Sequence, residues 1–240
     1  DKNINSDIFI EKIGKYECDI FVSMSFNQIF KSRTINLPAL KSINCHAGKL
    51  PFYRGRNVLN WVLINDEKEF GITVHYIDEG IDTGYIVLQK MFEITENDNY
   101  STLLERSYQG CADILYDSIK CIQDGSVVSI NQDSIHPVGM YCTQRKKGDE
   151  VIDWAQSSRD IFNFIRAICE PGPGARSHIG DEEIIINEAK LICNAPEYIG
   201  ICGAIIGIDS ETFVVKTKDT SIRITDYSFS KNIKVGDRLA

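Results

Sequence analysis

The stretch from Ile43 to Gly84 constrains this chain more than any other. It opens Ile43-Asn44-Cys45-His46-Ala47-Gly48-Lys49-Leu50-Pro51-Phe52-Tyr53-Arg54-Gly55 and ends Gly71-Ile72-Thr73-Val74-His75-Tyr76-Ile77-Asp78-Glu79-Gly80-Ile81-Asp82-Thr83-Gly84. Residues two apart on a strand share a face, so Asn44 and His46 point the same way at the end of a short apolar run. Pro51 and Gly55 mark the loop that stops this strand. Ile72, Val74 and Tyr76 alternate with Thr73, His75 and Ile77, which predicts a second strand ending in an acidic, glycine-rich loop. A carboxamide, an imidazole and a carboxylate gathered at strand ends supply a hydrogen-bond donor, a proton acceptor and an orienting acid. That set suits acyl transfer to an amine.

The order of elements around this stretch predicts the architecture. Residues 6 to 16 read as a helix capped by Ser6, with Ile8, Phe9, Ile10 and Ile13 on its apolar side. Residues 19 to 25 form a short buried strand, and Asn27 to Phe30 begin a helix that Pro38 ends. Then comes the strand 42 to 45. An α-β-α-β order with short links is that of a parallel sheet covered by helices, and ligands in such sheets bind beyond the carboxyl ends of the strands. The chain starts on a helix, and a βαβ unit takes about 30 residues, so one or two units, roughly 60 residues, are expected upstream of Asp1. Residues 57 to 65 predict a short helix with Val58, Trp61 and Val62 inward. Strands over 71–78 and 85–94 flank the acidic loop, and the longest helix runs from 101 to 123. Residues 131 to 150 are polar and read as a linker or exposed loop.

After residue 150 the texture changes. A helix from Ser157 or Ser158 to Cys169 is broken by Pro171-Gly172-Pro173-Gly174. Short strands follow at 183–192, 204–208, 213–217 and 222–227, and their regular spacing argues for a small β-barrel. The Pro171–Gly174 stretch precedes a strand and not a helix, so it is not a phosphate loop. The domains are expected at 1–134 and 151–240, with 135–150 as a linker.

The net charge of the 240 residues is −8, which argues against a broad attraction to nucleic acid or anionic membrane. No apolar run reaches the ~18 residues of a membrane span, and the start carries no signal-peptide pattern. The eight cysteines show no Cys-x-x-Cys pair and no metal-ligand spacing. They read as reduced, mostly buried thiols of a cytoplasmic protein, with no metal site.

Three motifs in order, Asn44-Cys45-His46, Leu50-Pro51-Phe52-Tyr53-Arg54-Gly55 and Asp78-Glu79-Gly80-Ile81-Asp82-Thr83-Gly84, resemble the 10-formyltetrahydrofolate-dependent formyltransferase family. His46 and Asp82 lie 36 positions apart, the spacing expected of that family. Further on, Ile152-Asp153-Trp154, Ile165-Arg166-Ala167 and Pro173-Gly174-Ala175 resemble the entry to the C-terminal domain of its methionyl-tRNA and UDP-sugar members. The resemblance implies a Rossmann-like parallel sheet, lacking its N-terminal units here, followed by an OB-like barrel. It implies 10-formyltetrahydrofolate as co-substrate, without a metal, and Asn44, His46 and Asp82 as catalytic groups. It places Ser23, Met24, Leu50, Pro51, Arg54, Gly55, Asp78 and Gly80 at the folate and Lys49, Phe52 and Tyr53 at the acceptor. The usual Pro-Ser after the histidine is Ala47-Gly48 here, with Lys49 following, so the acceptor side of the loop differs.

Formyl transfer to an amine passes through a tetrahedral intermediate bearing an oxyanion. A preorganised donor at that oxygen is worth ~3–4 kcal/mol, and Asn44 offers an N–H without competing for protons. His46 titrates near working pH and would take the amine's proton, a contribution of ~10²–10⁴-fold, with Asp82 orienting its ring. The plainer alternatives are a strand-end turn for Asn44, a surface imidazole for His46 and a loop-shaping role for Asp82. His75 reads as supporting or structural, and His136 and His178 as surface residues. Lys49, Tyr53 and Arg54 could hold a phosphate or a folate tail, or be solvated loop residues.

For the acceptor, a nucleotide-linked amino sugar (UDP- or dTDP-linked, for a surface polysaccharide) competes with methionyl-tRNA. Residues 1–134 carry 13 Lys+Arg against 19 Asp+Glu, and the remainder 13 against 15, so neither half offers the basic face tRNA calls for. The sequence therefore favours the small anionic sugar nucleotide over tRNA, expects no membrane partner and allows a homodimer. A non-catalytic folate- or nucleotide-sugar-binding module is the alternative of a different class.

Overall fold

The computed structural model describes residues 3–240. In chain order it has α1 (Asp7–Gly14), β1 (Phe21–Met24), α2 (Ser32–Ile35), β2 (Ser42–His46), β3 (Arg54–Gly55), α3 (Val58–Ile64), β4 (Glu69–Tyr76), β5 (Ile86–Glu93), α4 (Tyr100–Gln123), α5 (Gln132–Ile135) and β6 (Tyr141–Cys142). These are followed by α6 (Ser158–Ile168), β7 (Ala175–Ile179), β8 (Glu182–Leu191), β9 (Ile205–Asp209), β10 (Thr212–Lys216) and β11 (Ser221–Ser228). The chain forms two compact units. One holds the chain up to Val58 with Glu69–Ile94 and Glu105–Gln144; the other holds Leu59–Lys68, Thr95–Leu104 and Arg145–Ala240.

The first unit is built on a four-stranded sheet in the order β1-β2-β4-β5. The parallel pairing expected from the sequence is seen between β1 and β2, where Ser23 lies beside Asn44. β4 joins β2 and β5 antiparallel. The link between β4 and β5 is nine residues long, and a parallel crossover needs a dozen or more, so a hairpin is what this length permits. β2 and β4 are buried almost throughout, with Ile43, Ile72 and Val74 fully inaccessible. They form the floor on which the polar groups stand.

Ser6 caps α1 as expected, its Oγ accepting from the Phe9 N–H at 3.2 Å. The apolar side assigned to α1 is not covered: none of its residues is buried, and Ile8 is 68% exposed. The helix expected from Asn27 is shorter and later, a single turn at Ser32–Ile35. The expected linker contains structure of its own. β6 pairs in parallel with β3, Arg54 beside Tyr141 and Gly55 beside Cys142. Met140 N donates to the Pro51 carbonyl at 3.1 Å.

In the second unit α6 is capped by Ser157, which accepts from the Asp160 N–H. It buries Ile161, Ile165 and Ile168. Five strands follow in the order β7-β8-β11-β10-β9, all neighbours antiparallel. β7 is one more strand than the sequence predicted. The C-terminal residues bridge both edges, Leu239 to Ile179 and Arg238 to Ala204, which closes the sheet into a barrel and removes its free edges. Trp154 is buried, its Nε1–H donating to Ser177 Oγ at 2.9 Å, and Ser177 in turn donates to the Ala240 carbonyl.

All eight cysteines are unpaired. Only Cys45, Cys111 and Cys169 are buried, fewer than the sequence led one to expect. Among the described residues no helix is long and apolar enough to cross a membrane.

Candidate active site

Sheet register brings the polar groups together. Asn44 on β2 pairs across the ladder with His75 on β4, and His46 with Thr73. Asn44 Nδ2 lies 3.2 Å from His75 Nε2 and 3.3 Å from Asp82 Oδ1. Asp82 hangs from the loop after β4 in a left-handed conformation (φ 54°), which a short Asp side chain tolerates better than most. Gly84 makes that loop possible: a Cβ there would sit 1.8 Å from the Tyr76 carbonyl oxygen.

Asp82 is the hub. Its Oδ2 accepts the Gly55 N–H at 2.9 Å and lies 3.7 Å from His46 Nδ1, while Oδ1 is 3.5 Å from His75 Nε2. Burial by itself would raise the carboxyl's pKa. The His75 contact, the His46 ring and the Gly55 amide together outweigh it and hold the group at about 2. Asp82 is therefore an anion at neutral pH.

His46 is 9% exposed. Its Nε2 lies 2.7 Å from the Tyr53 carbonyl. A carbonyl can only accept, so Nε2 carries the proton and the neutral ring keeps its lone pair on Nδ1, the nitrogen that faces Asp82. Burial pulls the imidazole below its ordinary value, against the opposing pull of Asp82 and the Tyr53 carbonyl. The neutral, proton-accepting form is the resting state.

The other expected residues fall into distinct places. Ser23 is buried at the end of β1, and Met24 is 46% exposed one position further on. Leu50 is buried, and its carbonyl and Thr73 Oγ1 both accept from Gln89 Nε2. Arg54 is buried and tied down: Nε and Nη2 donate to Gln132 Oε1 at 3.0 and 2.7 Å, and Nη1 donates to the Val138 carbonyl. It is a strut of the loop, with these donors turned onto protein acceptors. Asp78 accepts from Gly80 N and Thr83 Oγ1 and so folds its own loop. Lys49 pairs with Glu69 at 2.6 Å, Phe52 packs on His136, and Tyr53 is buried with its carbonyl on His46. Pro51 and Gly55 serve through backbone groups, Pro51 by accepting from Met140 and Gly55 by donating to Asp82.

Gln132 went unrecognised in the sequence. Its Nε2 donates to the carbonyls of Asp82 and Gly84 at 2.8 and 2.7 Å while its Oε1 holds Arg54. One side chain thus ties the Arg54 loop to the Asp82 loop. Among the described residues, no group of three or more His, Cys, Asp or Glu could hold a metal ion.

Comparison with known proteins gives the family. The formyl transferase family model matches residues 2–118, and that of the formyl transferase C-terminal domain matches 145–237. A methionyl-tRNA formyltransferase of Fusobacterium nucleatum is 31% identical over 99% of this chain and 80% of its own length. The chain belongs to the formyl transferase family. The bifunctional polymyxin resistance protein ArnA of Wigglesworthia glossinidia brevipalpis is 36% identical over 79% of this chain, which spans only 29% of that longer protein. Among solved structures, an N-formyltransferase from Helicobacter canadensis in complex with folinic acid and dTDP-3-aminofucose superposes with a TM-score of 0.65. It is 26% identical, over 87% of this chain and 73% of that one.

Proposed function

We propose that this chain moves a formyl group from 10-formyltetrahydrofolate to the amine of a nucleotide-linked amino sugar. The observation that carries the transfer reading is the tautomer of His46. With Nε2–H anchored on the Tyr53 carbonyl, the Nδ1 lone pair faces an ionised carboxylate 3.7 Å away. That distance is too long for a good hydrogen bond, so both acceptors are left to meet a proton-bearing amine or a water that approaches the pair from the side. His46 takes the proton and Asp82 stabilises the imidazolium that results. Asn44, at the same strand end, is placed to donate to the oxygen on which negative charge develops.

The formyl donor supplies an activated one-carbon group. Met24, half-exposed at the end of β1, and the backbone of the 50–55 loop are the parts of this chain that would hold it. Arg54, buried and held by Gln132, is not; Asp78 is exposed, with its Oδ1 accepting from Gly80 N and Thr83 Oγ1.

Charge supports the sugar acceptor. Net charge is −8, and within the Arg145-Lys146-Lys147 cluster Arg145 is engaged, stacking over Trp61 and Phe164 and donating to the Asp149 carbonyl, while Lys146 and Lys147 are exposed. The dTDP-3-aminofucose bound to the Helicobacter canadensis relative is of the proposed class. The methionyl-tRNA formyltransferases at 31–33% identity favour the second reading, tRNA as acceptor. Incubating the protein with 10-formyltetrahydrofolate and a panel of UDP- and dTDP-linked amino sugars beside methionyl-tRNA decides between them. We expect formylation of a sugar nucleotide with the tRNA unreacted. Formylation of the tRNA alone would overturn the acceptor, and no transfer to any acceptor would overturn the transferase reading.

A further inference from the structure

Three consecutive residues carry the supports of the catalytic pair. The Tyr53 carbonyl accepts from His46 Nε2 at 2.7 Å, and the Gly55 N–H donates to Asp82 Oδ2 at 2.9 Å. Between them Arg54 turns its guanidinium inward onto Gln132. The placement of base against carboxylate therefore depends on where the 53–55 segment sits and on where the 82–84 loop sits. Gln132 touches both. It is 1% exposed. It opens α5 two residues after Ile130, which exchanges backbone hydrogen bonds with Ile86 at 2.9 Å each way.

Chemistry fixes which way the Gln132 amide points. A guanidinium only donates, so Arg54 Nε and Nη2, at 3.0 and 2.7 Å, require the amide oxygen on their side. The carbonyls of Asp82 and Gly84 only accept, so Nε2 faces them with its two hydrogens at 2.8 and 2.7 Å. Both lone pairs and both hydrogens of the amide are used. The reversed amide would set donors on donors and oxygen on oxygen. The bonds from Arg54 are charge-assisted and so of the stronger kind. We propose that Gln132 is the positioning residue of the catalytic pair: by clamping the 82–84 backbone to Arg54 it sets the gap between Asp82 and His46 that formyl transfer uses. The proposal rests on the transferase reading above.

The position of the clamp sets it apart from a general strut. The first half of the acidic loop holds itself, through Asp78 Oδ1 accepting from Gly80 N and Thr83 Oγ1. The second half, which carries the catalytic carboxylate, is held by Gln132. The short bond from Gly55 N to Asp82 spans the two segments that Gln132 joins. Without the clamp these segments are free to part, and the 3.7 Å between His46 Nδ1 and Asp82 Oδ2 is no longer fixed. The 50–51 backbone, assigned above to the formyl donor, has separate anchors. The Leu50 carbonyl accepts from Gln89 Nε2, and the Pro51 carbonyl accepts from Met140 N. Loss of the clamp should therefore fall on the chemical step and spare donor binding.

The test has two arms on the full chain, with Gln132→Met, which keeps the length of the side chain and removes all four bonds. In 15N-labelled protein without substrate, the Gly55 amide proton, held downfield by the carboxylate, is expected to move upfield and to lose protection from hydrogen exchange. A Gly55 amide that keeps its shift and its protection overturns the proposal. In the kinetic arm, kcat is expected to fall about tenfold to a hundredfold, the cost of a misplacement near an ångström. KM for 10-formyltetrahydrofolate should stay within twofold. A kcat within twofold of wild type, or a loss carried by KM alone, overturns the proposal as well. Arg54→Met breaks the clamp from its other end. Combined with Gln132→Met, it should add less than about twofold to the larger single loss, because both act through one link. Losses that multiply would overturn the clamp. Should Gln132→Met not fold, Gln132→Glu, which keeps the acceptor for Arg54 and lacks both N–H donors, carries both arms. A Gly55 amide that moves while the wild type turns over no acceptor supports the Gln132–Asp82 link and overturns only the transferase reading.

Discussion

Asp82 and Arg166 each anchor a buried polar cluster, one in each unit of the chain, and the clusters close to different degrees. Arg166 donates from Nη1 to the carbonyls of Thr95 and Asp98 at 3.0 and 3.2 Å and from Nε to Asn163 Oδ1 at 3.0 Å. Its guanidinium also lies over the Phe162 ring. Asp82 has one contact of that quality, from Gly55 N; its distances to Asn44, His75 and His46 stretch from 3.3 to 3.7 Å. The Arg166 guanidinium is fixed in one arrangement by its short bonds, although Asn163 Nδ2 has no hydrogen-bond partner among the described residues and Arg166 Nη2 lies 3.6 Å from Asp66 Oδ1. An open cluster, with an anion between two imidazoles and a carboxamide, has more than one way to distribute its protons. The Arg166 cluster reads as architecture and the Asp82 cluster as chemistry.

The sharpest way to break that comparison is to remove one member from each. His46→Ala deletes the proton acceptor, and kcat for formyl transfer is expected to fall ~10²–10⁴-fold. In the wild-type enzyme the pH profile carries a matching signature. Burial lowers the His46 pKa, so the base form persists below the ordinary value of about 6.5. The acid limb of kcat/KM is expected below that value, and an acid limb above it would argue that His46 is not the base.

Arg166→Met is the counterpart. It leaves the Thr95 and Asp98 carbonyls and Asn163 Oδ1 without their guanidinium donors, at roughly 1–3 kcal/mol for each buried group left unsatisfied. A destabilisation of about 3 kcal/mol in denaturant titration is expected, with kcat at a temperature where the variant is folded changed less than twofold. A tenfold loss of kcat in a folded Arg166→Met variant would erase the distinction between the two clusters.

The two regions were also unequally legible. Asn44, His46 and Asp82 stood out because chemistry restricts residue type as well as spacing, and three linked motifs leave few other readings. The strands beneath them followed from alternation. Gln132 carried no such signal: a glutamine in a polar stretch looks like any solvated residue, and β3 and β6 are too short to show a period. The antiparallel join of β4 and β5 could have been read from the nine-residue link between them. The side-chain pattern of β4 could not show it, because a strand buried on both faces looks alike in either sense. β7 was hidden by composition, since Arg176 and His178 alternate with Ala175, Ser177 and Ile179. Arg54 misled for the opposite reason. Its motif marks a conspicuous cation, and only the fold shows that the cation is turned inward onto Gln132.

A smaller perturbation sharpens the comparison inside the open cluster itself. The His46 ring is held by a single short bond, Nε2–H to the Tyr53 carbonyl, and Gly48 leaves the room for it. A Cβ at residue 48 would stand 2.4 Å from His46 Nε2 and 2.5 Å from the Tyr53 oxygen. Gly48 is outside the left-handed region, so the methyl of Gly48→Ala strains no dihedral and acts through contact alone. The imidazole and the carbonyl must separate, and the neutral tautomer loses the bond that keeps its lone pair on Nδ1. A net hydrogen bond of about 1–1.5 kcal/mol is at stake, which corresponds to roughly a tenfold fall in kcat/KM. In 15N spectra the His46 ring should change from a single Nε2–H tautomer to a mixture. Asn44 and His75 should keep their resonances. A Gly48→Ala enzyme with unchanged kcat/KM and an unchanged His46 tautomer would mean that the carbonyl of Tyr53 does not choose which nitrogen acts.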